Sequence, residues 1–145
     1  MAYASAGCGG GTAPSIESVT RTFLTRGVAL EGVPQTVLGL DLTATSPVTA
    51  VLFHRESGAI PDGACLAGCS APFAWSVDVV FTGSSENAAR LATEWAKSRD
   101  RSSDRFKHFD IVVGRIVALY WADPTQASGA ANVRAAMDDI RRQSR

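Results

Sequence analysis

The chain has 145 residues, 46% of them hydrophobic and 19% charged, with fourteen basic residues balanced by fourteen acidic ones. That length fits one domain able to bury roughly two thirds of its unfolded surface without added cross-links. Balanced charge excludes the basic footprint of a nucleic-acid binder, and no apolar run reaches the roughly 18–20 residues of a spanning helix.

The chain begins with Ser5-Ala6-Gly7-Cys8-Gly9-Gly10-Gly11-Thr12 close behind Met1. Small residues leading to a cysteine, then a glycine run, resemble the end of a bacterial lipoprotein signal peptide. In that family the cysteine is lipidated, becomes the new N-terminus and is followed by a flexible tether. The resemblance implies that Cys8 is the lipidation site and the only route to a membrane, with the domain at the cell envelope outside the cytoplasm. Seven residues precede Cys8, fewer than a charged n-region and an apolar core of roughly 7–15 residues need, so the signal peptide reads as truncated. Residues 1–14 are therefore expected to be a signal remnant and tether, and 15–145 a single α+β domain. Apart from Lys97 and Lys107 every basic residue is arginine, a bias that resembles coding from a GC-rich genome such as an actinobacterium's.

Ser15 offers a helix start after Pro14, and Ile16, Val19, Phe23 and Leu24 recur at helical spacing, so a helix is expected over 15–26. Gly27 supplies the stop. Three strands should follow, over 28–33, 36–43 and 48–54, separated by Pro34 and Ser46-Pro47. In the second, Leu38, Leu40 and Leu42 fall on one face against Val37, Gly39 and Asp41 on the other, as in a sheet covered on one side.

Cys65 and Cys69 lie in a loop bounded by Pro61 and Pro72 and loosened by Gly63 and Gly68. In an exported protein they are expected to form a disulfide, worth about 2 kcal/mol for so small a loop, whereas in a reducing cytosol they stay thiols. A fourth strand is expected over 73–82, with Trp75, Val77, Val79 and Phe81 on one face. Asp78 on the other predicts that this second face is at least partly wet. Ser84 or Ser85 can cap a helix whose inner stripe is Ala88, Leu91, Ala92 and Trp95 and which ends near Arg99. The charged stretch 97–105 reads as a solvated linker.

The strongest β signal is 109–113 and 116–121 around Gly114-Arg115, a two-residue turn with glycine first. The second arm is apolar on both faces and should be central. Asp123-Pro124 with Gln126 then reads as the capped start of a last helix. Ala130, Val133, Met137 and Ile140 face its core side, and Arg134, Asp138, Arg141 and Arg142 face water. The order α-β-β-β-β-α-β-β-α predicts a mostly antiparallel sheet packed by three helices, in the α+β class. From Val77-Asp78-Val79-Val80-Phe81 onward, over roughly residues 75–143, this pattern resembles small actinobacterial lipoproteins of unassigned function.

No Gly-x-Ser-x-Gly elbow, Walker motif or Gly-x-Gly-x-x-Gly occurs in the sequence. Asp41 and Asp78 each interrupt an apolar strand; on adjacent strands they would share a cleft as an acid/base pair, and otherwise each faces solvent. His54, beside Arg55 and Glu56, reads first as a strand-end residue paired with a neighbouring carboxylate and second as a catalytic partner of the aspartates. A zinc site joining His54, His108, Cys65 and Cys69 has the right ligand types but not the spacing of a common finger. Trp75, Trp95 and Trp121 occupy core-periodic positions.

No cofactor or metal is expected. The favoured reading is a non-catalytic envelope module that binds or scaffolds, with a protein or small molecule as partner. A cytosolic ligand-binding or protein-interaction domain is the second reading, and a small enzyme using Asp41, Asp78 or His54 the third.

Overall fold

The computed structural model describes residues 14–32, 36–37, 40–41, 48–57, 73–101, 107–123 and 128–144. In chain order these form α1 (Ile16–Thr25), β1 (Glu31–Gly32), β2 (Thr36–Val37), β3 (Leu40–Asp41), β4 (Val48–Ser57), β5 (Phe73–Thr82), α2 (Ser85–Arg101), β6 (Lys107–Val113), β7 (Ile116–Ala122) and α3 (Ala130–Gln143). The class is α+β. Among the described residues five strands make one sheet in the order β1-β4-β5-β7-β6, every neighbouring pair antiparallel, while β2 and β3 pair with each other alone.

Helices cover both faces of the large sheet. Alternation along β5 sends Trp75, Val77, Val79 and Phe81 to one side, where they meet Ala118, Tyr120 and Ala122 of β7, Val19 and Phe23 of α1, and Val133, Met137 and Ile140 of α3. Val80, Val117, Leu119 and Trp121 point the other way and pack under Ala88, Leu91, Ala92 and Trp95 of α2. β7 is central, and all seven of its residues are buried. Each large apolar side chain so placed contributes about 1.5–3 kcal/mol relative to exposure. The three tryptophans are all core residues.

Local signals explain the element ends. Ser15 Oγ accepts the Ser18 amide at 3.0 Å, capping α1. At its other end Gly27 takes φ +82°, which lets the Val28 amide reach back to the Phe23 carbonyl at 2.9 Å. Ser84 Oγ accepts the Asn87 amide at 3.1 Å ahead of α2. Gly114, at φ +57°, makes the β6–β7 turn.

The observed order follows the expected one, with several local corrections. The proposed strand over 28–33 shrinks to Glu31–Gly32, because the Val28 amide is committed to the end of α1 and its side chain to the core. In place of one strand over 36–43, Thr36–Val37 and Leu40–Asp41 are two short antiparallel strands, with Thr36 opposite Asp41 and Val37 opposite Leu40; the other residues of that stretch lie outside the described ones. In α1 Val19 and Phe23 are buried, but Ile16 and Leu24 are exposed, since Leu24 lies a further 100° around the helix from Phe23. The stretch 97–101 is not linker but the last turn of α2, its long charged side chains being good helix formers. Finally α3 begins at Ala130 and not at Pro124. Ser128 Oγ accepts the Ala130 amide, and the Asp123 amide is bound instead to the Ala74 carbonyl at 2.8 Å.

Candidate functional site

Asp78 is the described titratable residue whose setting departs furthest from that of a surface group. It sits in the middle of β5, opposite Phe53 of β4 and Leu119 of β7, on the face covered by α2. It is fully buried, so the expected wet face is dry at this point: α2 closes over the neighbouring Val80, Val117 and Leu119, and Ser76 is buried alongside. Arg55, one step along the diagonal on β4, donates from Nη2 to Asp78 Oδ1 at 2.8 Å, and its guanidinium carbon lies 4.8 Å from the Phe53 ring centroid. Asp78 Oδ2 has no hydrogen-bond partner among the described residues. Loss of water outweighs the attraction of Arg55, and the Asp78 carboxyl is pushed up to about 6. Such a group holds or releases a proton near neutrality, but inside the core.

His54 lies on the opposite face. Its β5 partner is Val77, so alternation directs it toward the α1/α3 layer and away from Asp78. Nδ1 is 2.9 Å from the Ala29 carbonyl, to which it donates, and Nε2 is 2.9 Å from Glu56 Oε1. The neighbouring-carboxylate reading of His54 therefore holds. From it an aromatic ladder crosses the sheet: His54 to Trp75 at 4.9 Å, Trp75 to Tyr120 at 5.9 Å, Tyr120 to Phe109 at 4.5 Å, with the Arg134 guanidinium 3.9 Å from the Phe109 centroid. Tyr120 and Ser128 share a hydroxyl hydrogen bond of 2.5 Å, and Gly129 packs against the Trp75 ring.

The residues nominated for chemistry are not brought together. Asp41 is on β3, in the small separate sheet, so it is not on a strand next to Asp78. His108 pairs with Trp121 on the α2 face, with β5 and β7 between its strand and that of His54, which rules out a zinc site holding both histidines. No cluster of three or more metal-ligating side chains occurs among the described residues. Cys8, Cys65 and Cys69 lie outside the described residues, and with them the lipidation and disulfide expectations. No helix among the described residues is long and apolar enough to cross a membrane.

No family model, curated protein or solved structure matches the chain. Arg55, Phe109, Arg134 and Ser128 were not singled out from the sequence for the roles they take here. For Arg55 the signal in the sequence is a cation two residues along β4 from Phe53, on the same face of the strand; the others depend on register and on the α3 start.

At the surface, charges pair locally. Arg26 Nε donates to Asp139 Oδ2 at 2.7 Å across the α1–α3 interface, and Arg142 pairs with Asp139 too. The hydrogen bond from Arg26 is the main reason the Asp139 carboxyl lies below the usual range. Gln143 donates to Thr22 Oγ1 at 3.1 Å, a second polar tie between the same two helices.

Proposed function

We propose that this is a non-catalytic module of the cell envelope, held to the membrane through a lipidated Cys8 and acting there by binding or scaffolding. The observation that carries the non-catalytic part is the opposed placement of Asp78 and His54. The sheet itself separates them, and each is engaged inside the protein, Asp78 by Arg55 and His54 by Ala29 and Glu56. A general acid or base must reach the proton it transfers, directly or through one water, and a fully buried Asp78 does not. The sequence around Cys8 supports the address, and the ties between α1 and α3 supply a rigid body beyond the tether.

In this reading the Cys65–Cys69 loop is oxidised, because export delivers the chain to a disulfide-permitting compartment. Fractionation of source cells tests the proposal. The wild-type chain should partition with membranes, and the Cys8→Ser variant should appear in the soluble fraction. A wild-type chain that is itself soluble and cytosolic, with Cys65 and Cys69 as thiols, would replace this reading with the cytosolic interaction domain.

A further inference from the structure

We propose that α1 docks on the bilayer surface, with its Ile16–Thr20–Leu24 flank seated at the boundary between headgroups and acyl chains; this rests on the envelope reading, in which Cys8 carries the anchor. Ile16 and Leu24 are the exposed large apolar side chains among the described residues, 47% and 59% accessible, and both belong to this one helix.

Helical spacing of about 100° per residue divides α1 into sides. Val19 and Phe23 face the core. Ser18, Thr22 and Arg26 form one flank, each tied to α3: Ser18 donates to Gln143 Oε1, Gln143 donates to Thr22 Oγ1, and Arg26 pairs with Asp139. Ile16, Thr20 and Leu24 form the other flank, within an arc of about 80°. Thr20 fits that apolar flank, because its hydroxyl donates to the Ile16 carbonyl at 2.8 Å and so leaves water without losing its hydrogen bond. Glu17 and Arg21 border it, four residues apart and opposite in charge, so their charges cancel. The contact is therefore apolar and does not depend on anionic lipid.

Chain length decides what this flank meets. Ile16 stands eight residues after Cys8, a connection that spans at most about 25–30 Å, and α1 itself is about 15 Å long. The next described element, β1, begins fifteen residues further along, at Glu31. Lipid at Cys8 thus holds α1 to the bilayer on the shortest lead of any described element. Two half-exposed apolar side chains are too few to keep a free domain on a membrane. With the anchor in place their contact becomes intramolecular, where a preference on the order of tenfold for burying them in lipid decides how the domain sits. An interfacial helix needs an apolar side toward the acyl chains and polar neighbours at the headgroups, and Glu17 and Arg21 supply those neighbours.

The test is neutron reflectometry of the full chain on a supported phosphatidylcholine bilayer, coupled through Cys8 to a maleimide phospholipid after Cys65→Ser and Cys69→Ser leave Cys8 the single thiol. The chemical anchor replaces the native one, so a failure here falls on docking, whereas a failure of the envelope reading shows in the fractionation of source cells. Protein density should begin at the headgroups with no water layer beneath it, at low and high salt alike. Ile16→Ser combined with Leu24→Ser should open a water layer of ~10 Å or more, within the reach of the connection to Cys8. Adding Thr20→Leu to that pair should close the layer again. Circular dichroism should report the same fold throughout, since Ile16 and Leu24 are exposed. A wild-type domain standing off the bilayer, a layer released by salt, or a position indifferent to the two serines overturns the proposal.

Discussion

Replacing Asp78 by asparagine isolates the cost of its buried charge. Burial raises the carboxyl from 3.8 to about 6 in the folded state, so the folded protein binds the proton more tightly than the unfolded chain. The resulting stability is fully present below about pH 4 and is lost as pH rises through about 6. A difference of about two pH units at 1.36 kcal/mol each amounts to about 3 kcal/mol. Asp78→Asn keeps the shape and an acceptor for Arg55 Nη2 but cannot ionise. Other titrating groups cancel when variant and wild type are compared at the same pH. Urea unfolding at pH 4, 5, 6 and 7 should therefore show the variant gaining most of this, about 2 kcal/mol, on wild type between the first and last conditions. Its absolute stability carries an unrelated offset of about 1–3 kcal/mol, because the new amide N–H takes the place of the unpartnered Oδ2. Parallel curves for the two proteins would refute the reasoning and mean that the Asp78 charge is as well solvated folded as unfolded.

Two further substitutions probe how the layers are joined. A Cβ on Gly129 would lie 2.4 Å from the Trp75 ring, so Gly129→Ala should cost about 1–3 kcal/mol and lower the thermal midpoint; a midpoint unchanged from wild type would mean that the α3 start does not rest on Trp75. Ser84→Ala removes the cap bond to the Asn87 amide and should cost about 1 kcal/mol in urea unfolding, while Ser85→Ala, with no such bond among the described residues, should cost less.

What the sequence made legible was local. Strand β5 runs over 73–82 as its alternation requires, and the β6–β7 hairpin follows from β-branched runs around Gly114. The inner stripes of α2 and α3 likewise face the core. Covering and pairing were harder to read. Alternation assigned Asp78 a face but did not reveal that α2 closes that face, nor that register brings Arg55 to it. The leucine alternation over 36–43 has strand period, yet Thr36–Val37 pairs with Leu40–Asp41, so these residues are two strands and not one; Leu38 and Leu42 lie outside the described residues. Asp123-Pro124 has good capping chemistry, but β7 takes the Asp123 amide for the Ala74 carbonyl, while Ser128 and Gly129 meet Tyr120 and Trp75. For Asp78 and for Asp123 a contact distant in sequence outweighed a sound local preference.

The candidate site was legible in part. The sequence places a carboxylate within reach of His54, and Glu56 takes that place. The suggestion that Asp41 and Asp78 share a cleft depended on strand adjacency, which the separate β2–β3 sheet does not provide. The lipidation expectation at Cys8 rests on residue order alone, and Cys8 lies outside the described residues.

The central claim, an envelope module anchored at Cys8, is tested most directly by the mass of the N-terminal peptide of the protein taken from the membrane fraction of source cells. The account predicts a peptide that begins at Cys8 and carries the added mass of a diacylglyceryl group. An unmodified Cys8 within a longer peptide, recovered from the soluble fraction, would contradict it.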